Sequence, residues 1–485
     1  MDSIHSSTRR RRRTRVLAAV AASVAGLTLA SCSSSGGAGA LDTSFGDKGT
    51  VEYSLGEGDD TANGMILGAD GTIVVVGTTT SADSGTTSAN MLVERFTADG
   101  SLDASFGAGT DDGSPEGTVT LSLGDGNDEG RGIAAQSDGK LIVVGTSTST
   151  DSTSNIVVVR LDTGGVPDPT FGTGSDDGTP DGFVQVSLSD GNDIADAVAV
   201  QSDGKIVIAG TTSSADGNNI AVARMNADGS LDTTFGVGTD DGSPDGVVTL
   251  SLGDGNDEAR SITVQSDGKI IVAGTSTSTG GDSSNIVVAR MAADGSLDAD
   301  FGTADDGSPD GVVNISLGDG DDVADAVAVQ SDGKIVVAGT HSSSSGTNGA
   351  IARLEADGSL DAAFGTNADD GTPEGVVGLS LGDGDDSIVA IAQQSDGKIV
   401  AVGTTTSTGD TSNAFVVRLL ADGTADPDFG TADDGTPDGV VNLSFGDGND
   451  TGAAVAVQSD GKIVVAGNAA DQGTSDIALA RLVVG

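Results

Sequence analysis

The heptapeptide QSDGKIV, or a near copy of it, recurs along the chain with its lysine at Lys140, Lys205, Lys269, Lys334, Lys398 and Lys462, and a degenerate GADGTIV puts Thr72 at the same point. Successive copies lie 68, 65, 64, 65, 64 and 64 residues apart. Repetition at a fixed period marks a repeat architecture before any single residue is considered. Two further markers keep the same order. The phenylalanine of LDxxFG falls at Phe45, Phe106, Phe171, Phe235, Phe301, Phe364 and Phe429, and an arginine closing an apolar run falls at Arg95, Arg160, Arg224, Arg290, Arg353, Arg418 and Arg481. The chain therefore holds seven copies of one unit.

The segment before the repeats reads as a targeting signal and is set apart from the fold. Arg9 to Arg13 and Arg15 form a charged region, Val16 to Leu29 an apolar one, and Leu29-Ala30-Ser31-Cys32 resembles the lipobox of bacterial lipoproteins. That resemblance implies a signal peptide at 1–31, cleavage before Cys32, acylation of its thiol, and a Ser/Gly/Ala linker at 32–40. The alternative is a spanning anchor, but the apolar run of 14 residues falls short of the roughly 20 a transmembrane helix requires. Arg12-Arg13 also fits a twin-arginine export pattern, which an arginine run meets easily.

Loss of the signal removes six arginines and one aspartate and takes the formal charge from −51 to −56. Such a charge repels nucleic acid and anionic lipid, so neither is an expected partner. High charge with low hydrophobicity ordinarily points to disorder. Here the apolar residues are gathered into short periodic runs, with the acids in the connections, and a folded chain is expected. Cys32 is the only cysteine and His5 and His341 the only histidines, which excludes intrachain disulfides and argues against ordinary zinc sites and histidine-activated nucleophiles.

Within one unit, Ser261 to Gln265 is a short extended run, Ser266-Asp267-Gly268-Lys269 carries the Asp-Gly pair of a tight turn, and Ile270 to Gly274 is the next strand. A polar stretch from Thr275 to Asn285 leads to Ile286 to Met291. The chain turns at Ala293 to Ser296, and a fourth extended piece begins near Leu297-Asp298 and resumes at Val312 to Leu317. Four antiparallel strands per unit is the count for a propeller blade. IIVAG and IVVAR are continuous rather than alternating apolar runs, so both faces of the sheet must be covered, as neighbouring blades would do. The alanine-rich first strand, such as Ala326 to Gln330, is expected innermost, where strands converge.

The array begins at Leu41 to Gly46, which elsewhere belongs to the last strand, and it stops at Ile477 to Val484, which corresponds to the third. The N-terminal piece thus supplies what the seventh unit lacks. An all-β, seven-bladed propeller over 41–485, closed by exchange of this N-terminal strand, would remove the exposed edges of an open array.

With its order of LDxxFG, apolar strand, QSDGKIVVAG, apolar-Arg strand and ADGS, the unit resembles the delta-60 repeat of bacterial surface and secreted proteins. Phe235, Asp203, Gly204, Lys205, Gly210 and Arg224 are one set of its landmarks. The resemblance covers residues 41–485 and departs from the pattern at Thr72 and in an acidic insert of units two to seven. It implies a β-propeller and no particular activity.

Two acidic elements are candidate calcium ligands, since hard cations take clustered oxygen donors. The insert Asp305-Asp306-Gly307-Ser308-Pro309-Asp310 looks like a truncated acidic segment of calcium-binding surface repeats, and its plain reading is a soluble turn. Gly253-Asp254-Gly255-Asn256-Asp257 resembles the glycine-aspartate nonapeptide of toxin-type β-rolls, but it appears once per unit rather than in tandem, which undermines that role, and its plain reading is a connection between outer and inner strands of neighbouring blades. The arginine series is expected to pair with carboxylates of the Asp298 class. The lysine series, in hairpin turns, is expected to be solvated.

Catalytic residues are not assigned. The chain has no Trp and a single Tyr, so the aromatic platforms of sugar-cleaving or quinone-dependent propellers are missing, and near-identical units offer no odd constellation. Variable Ser/Thr/Gly loops, such as Thr275 to Asn285 and Thr340 to Gly349, are the expected recognition elements. They should share one face of the ring with the GDGND connections. The expected protein is a monomeric, non-catalytic binding or scaffold module without cofactor. A lipid anchor would hold it periplasmic-facing or at the bacterial surface, where it would engage an envelope or extracellular protein or glycan; a calcium-dependent adhesin or carbohydrate-binding protein is the alternative, and a carboxylate-based hydrolase is the remaining one.

Overall fold

The computed structural model describes residues 37–485 apart from 57, 81–87, 109–113, 124–125, 149–152, 173–181, 190, 215–216, 238–242, 244, 253–254, 278–282, 303–309, 319, 344–345, 366–372, 382–383, 407–410, 431–438, 447 and 472. It is an all-β, seven-bladed propeller, each blade a four-stranded antiparallel sheet. Blade 4 consists of Asp257–Val264, Ile270–Thr277, Ser284–Met291 and Val312–Ile315 in that spatial order. The first strands of adjacent blades touch one another around the whole ring, so they line the axis.

The continuous apolar runs are used on both sides. Val207, Ala209 and Val222 of blade 3 pack on Ile262, Ile270, Val272 and Val287 of blade 4. Burying such side chains contributes roughly 1.5–3 kcal/mol each, so the blade interfaces hold the ring. The Asp-Gly turns follow from backbone geometry. Gly295 has φ +91, and a Cβ there would sit 2.9 Å from the Phe235 ring of blade 3. Glycine therefore lets the turn of one blade lie flat on the phenylalanine of its neighbour.

The fourth strand is shorter than its sequence suggests. Leu297 makes only an isolated bridge to Met291, and the strand itself is Val312–Ile315. Between them LDxxFG closes a turn, with the Phe301 N–H donating to Asp298 O at 2.9 Å, which folds the phenylalanine into the blade interface. His341 is not in a loop. It lies in the strand Ile335–Ser343, which pairs directly with Gly346–Leu354 down to Ser343↔Gly346. Blade 3 does the same at Ser214↔Gly217. Both glycines have φ +128, the conformation a tight hairpin requires, and the Ser/Thr run therefore extends the ladder instead of leaving it.

Blade 7 combines the two ends of the chain. Thr50–Tyr53 pairs antiparallel with Thr474–Leu482, in register Thr50↔Ala480 to Tyr53↔Ile477. Phe45 lies fully buried under Arg481, whose guanidinium is 4.7 Å from the ring centroid. At the place where the other blades have their third-to-fourth-strand turn, the two chain ends meet without a peptide bond: Gly39 N–H donates to Val483 O at 2.8 Å and Val483 N–H to Ala40 O at 2.9 Å. Ala38 O then accepts the Gly430 N–H at 3.0 Å, the role Asp294 O plays for Gly236.

Candidate functional site

The repeated arginine joins neighbouring blades, held in place by an aspartate and a lysine of its own blade. In blade 4, Asp298 Oδ2 accepts Arg290 Nε at 2.6 Å and Lys269 Nζ at 2.7 Å. The Arg290 guanidinium lies 4.4 Å from the Phe301 centroid and donates onward to Ala356 O in the next blade. Blade 3 repeats this with Arg224 and Lys205 on Asp232, Arg224 4.6 Å from the Phe235 centroid, and Ala293 O as the acceptor. Asp203 Oδ1 accepts the Lys205 N–H at 3.1 Å, with Gly204 at φ +86 completing the turn. The lysines are thus not simply solvated, as their place in a hairpin suggests. The long stem reaches back over the end of the blade to the carboxylate that the arginine alone leaves half satisfied.

Burial pushes the Asp232 carboxyl up, but hydrogen bonds from Lys205, Thr234 and Arg224 outweigh it and hold the group well below the usual carboxylate range. Asp42 takes Arg481 and Lys462 across the junction of the chain ends; burial pushes its carboxyl up, but hydrogen bonds from Ser44, then Lys462 and the Arg481 charge, hold it well below the usual carboxylate range.

The GDGND connection is likewise structural where it is described. Asn256 Oδ1 accepts the Asn218 N–H at 3.0 Å, which ties the connection entering blade 4 to the third strand of blade 3. Asp257 is fully buried, and its Oδ2 accepts the Leu252 N–H at 2.7 Å. Burial pushes its carboxyl up, against the hydrogen bonds of Ser276 and Leu252. Asp310 is an exposed turn residue before the fourth strand. Cys32, Asp254, Asp305 and Asp306 lie outside the described residues, as do most of the Ser/Thr loop tips. Among the described residues no three His, Cys, Asp or Glu side chains are grouped to hold a metal ion.

One constellation does break the sevenfold pattern, and it lies on the axis. Every innermost strand carries a bulge that leaves one residue outside the ladder: Asn63, Arg131, Asp196, Arg260, Asp325, Val389 and Ala453 in blade order. A bulge re-aims a side chain without ending the strand. Arg131 reaches Asp196 of the next blade at 2.8 Å and Glu129 of its own at 2.9 Å. Arg260 repeats the arrangement with Asp325 at 3.2 Å and Glu258 at 3.4 Å. Blades 2 and 3 thus form a Glu–Arg–Asp cluster that blades 4 and 5 copy, while blades 6 and 7 present only Val389 and Ala453. Burial pushes the Asp196 carboxyl up, opposed by Arg131. The arginine side chains remain about 36–43 % exposed while each pairs with two carboxylates.

Sequence reasoning misses this site because a bulge looks like any other strand position. A signal was present nevertheless. Apart from Lys48, Arg131 and Arg260 are the only basic residues after Cys32 that are not repeat landmarks. A concavity of about 590 Å³ lies between blades 6 and 7 on the Asp-Gly turn face, lined by Gln393, Gln394, Lys398, Gln458 and the Val484–Gly485 end.

The model of a family described as domain of unknown function (DUF5122) β-propeller matches residues 68–106, 136–171, 201–235, 265–301, 330–364, 394–429 and 458–482, together half of the chain. No curated protein matches the sequence. Among solved structures, similar ones include a catalytically inactive virginiamycin B lyase from Staphylococcus aureus with quinupristin, 10% identical over 89% of this chain and 98% of that one, TM-score 0.47. The polysaccharide lyase Uly1 is 9% identical over 89% and 91%, TM-score 0.45. Drosophila Semaphorin 2a is 8% identical over 92% and 76%, TM-score 0.44.

Proposed function

Because the chain belongs to the family of domain of unknown function (DUF5122) β-propellers, whose description names an architecture and no activity, we propose a function from its own residues. The protein is a non-catalytic binding or scaffold module, held to a bacterial membrane by acylated Cys32. As a monomer it presents its ring to an envelope or extracellular protein or glycan.

The observation that carries this reading is the distribution of charge. The repeated arginines, lysines and LDxxFG aspartates bind one another, whereas the variable bulge positions of the innermost strands bring charge to the axis as Glu129–Arg131–Asp196 and Glu258–Arg260–Asp325. Each cluster already pairs its arginine with carboxylates, which suits recognition of a polar partner better than proton transfer. The acyl chains would supply membrane affinity, since the acidic domain has none for anionic lipid.

Two measurements test the two halves. Membrane fractionation should find the full-length protein with membranes and the Cys32→Ala variant in the soluble fraction; membrane retention of that variant contradicts the anchor. The soluble variant, screened against glycans and purified envelope proteins, should bind a partner that an added Arg131→Ala/Arg260→Ala pair weakens about tenfold or more, roughly 1.4 kcal/mol. Binding indifferent to both substitutions moves recognition away from the axis. A melting temperature that rises in millimolar calcium over chelator would favour the calcium-dependent adhesin instead.

A further inference from the structure

We propose that Glu94 is a proton-operated latch on the strand that closes the ring. Glu94 is fully buried, and among the described residues neither of its carboxyl oxygens has a hydrogen-bond partner. It stands immediately before the repeat arginine, where the other six blades carry Val159, Ala223, Ala289, Ala352, Val417 and Ala480, all buried. Blade 1 alone therefore places an ionisable group in its apolar wall.

The position of that wall makes the substitution consequential. Leu92 and Phe96, two residues to either side on the same strand face, belong to the cluster joining blade 1 to blade 7, with Val51, Tyr53 and Leu55 of the N-terminal segment packed against it. Tyr53 meets Phe96 edge-on at 6.3 Å. Glu94 thus lies beneath Thr50–Tyr53, the only strand of blade 7 that comes from the other end of the chain.

Every group facing it disfavours a charge. Tyr53 of the closing strand and Asp60 of the first strand of blade 1 are its titratable neighbours: burial and then the Glu94 and Asp60 carboxyls push Tyr53 up, and burial pushes Asp60 up against hydrogen bonds from Thr79 and Leu55, with Asp476 and Asp59 adding to the rise. Asp476, on the third strand of blade 7, stands beyond Asp60. The flanking strands contribute Val75 and Thr118, and blade 7 contributes Ala454, Val464 and Ala466 to this interface. The adjacent cation, Arg95, is engaged with Asp103 and the Phe106 ring. An unpaired carboxylate in such a place is strongly disfavoured, so the packed seam holds Glu94 neutral.

The closed seam binds one proton more than the opened one, so opening becomes easier by about tenfold per pH unit between the ordinary glutamate value and the raised value in the seam, and is flat on either side. Below that window the latch is fully closed. This device goes beyond the binding function and does not depend on it.

Hydrogen exchange from pH 5 to 9, corrected for base catalysis, reads the latch directly. Amides of Thr50–Tyr53 should open more readily as pH rises, while those of the equivalent strand of blade 4, Val312–Ile315, should not. Tyr53 is the only tyrosine and the chain has no tryptophan, so its fluorescence reports the same strand. Glu94→Gln should abolish the pH dependence at this strand alone. If that variant does not fold, Glu94→Val, which copies blades 2 and 6, serves with the same expectation. A pH profile shared by wild type and variant, or a wild-type profile that is flat throughout, overturns the proposal.

Discussion

Asp361 carries two cations on one oxygen, Arg353 at 2.6 Å and Lys334 at 2.7 Å, and is almost fully buried. Burial alone would push its carboxyl up, but Lys334, the Ala363 N–H and Arg353 bring it down to about 2. A group lowered in the fold contributes stability that is complete above the unfolded carboxylate value near ~3.9 and is lost as pH falls through about 2. Asp361→Asn should cost about 3–5 kcal/mol at pH 7, because it strands a buried guanidinium. Urea unfolding should find that difference narrowing below about pH 4 as the native carboxyl also loses its charge. A cost that is the same at pH 7 and pH 2 would show that the carboxylate's charge is not what holds the arginine.

Blade 1 is the element that departs most from the others. It has Thr72 where six blades have a lysine, and Thr72 Oγ1 donates to Asp70 at 2.7 Å while Asp103 keeps Arg95 as its one paired cation among the described residues. Thr72→Lys should supply the missing ammonium and raise stability by roughly 0.2–1 kcal/mol, the range for a partly exposed pair. An unchanged or lowered urea midpoint would mean that the lost threonine hydrogen bond is worth as much. The strands, the Asp-Gly turns and the arginine's carboxylate partner were legible in the sequence because each recurs with the period of the fold. What did not recur was harder to see. Arg131 and Arg260 sit at bulges, which slip one residue out of the ladder without altering composition. Glu94 reads as an interruption of an apolar run until the packing shows it facing blade 7. The lysines were misread because the reach of a long side chain over the blade end depends on tertiary geometry. His341 was misread because Ser and Thr fit an extended ladder as readily as a loop.

The whole molecule depends on a junction that no peptide bond makes. Gly39, Ala40 and Val483 reproduce by hydrogen bonds the turn that the other blades have covalently, and Asp42, Phe45, Arg481 and Lys462 rebuild the blade-joining cluster across it. The axial clusters need a closed ring to face one another, and the Glu94 latch needs Thr50–Tyr53 in place. Both features therefore depend on closure of the ring by the N-terminal strand. Glu52 and Ala478 are Cα partners in this pairing. In a Cys32→Ala background, Glu52→Cys with Ala478→Cys should form a disulfide under mild oxidation, since paired strand positions fall within disulfide reach. Because the bond closes nearly the whole ring, it should stabilise the protein by up to about 5 kcal/mol, reversibly on reduction. Failure of the two thiols to pair in the folded protein, or a melting temperature indifferent to their oxidation, would contradict the closed ring.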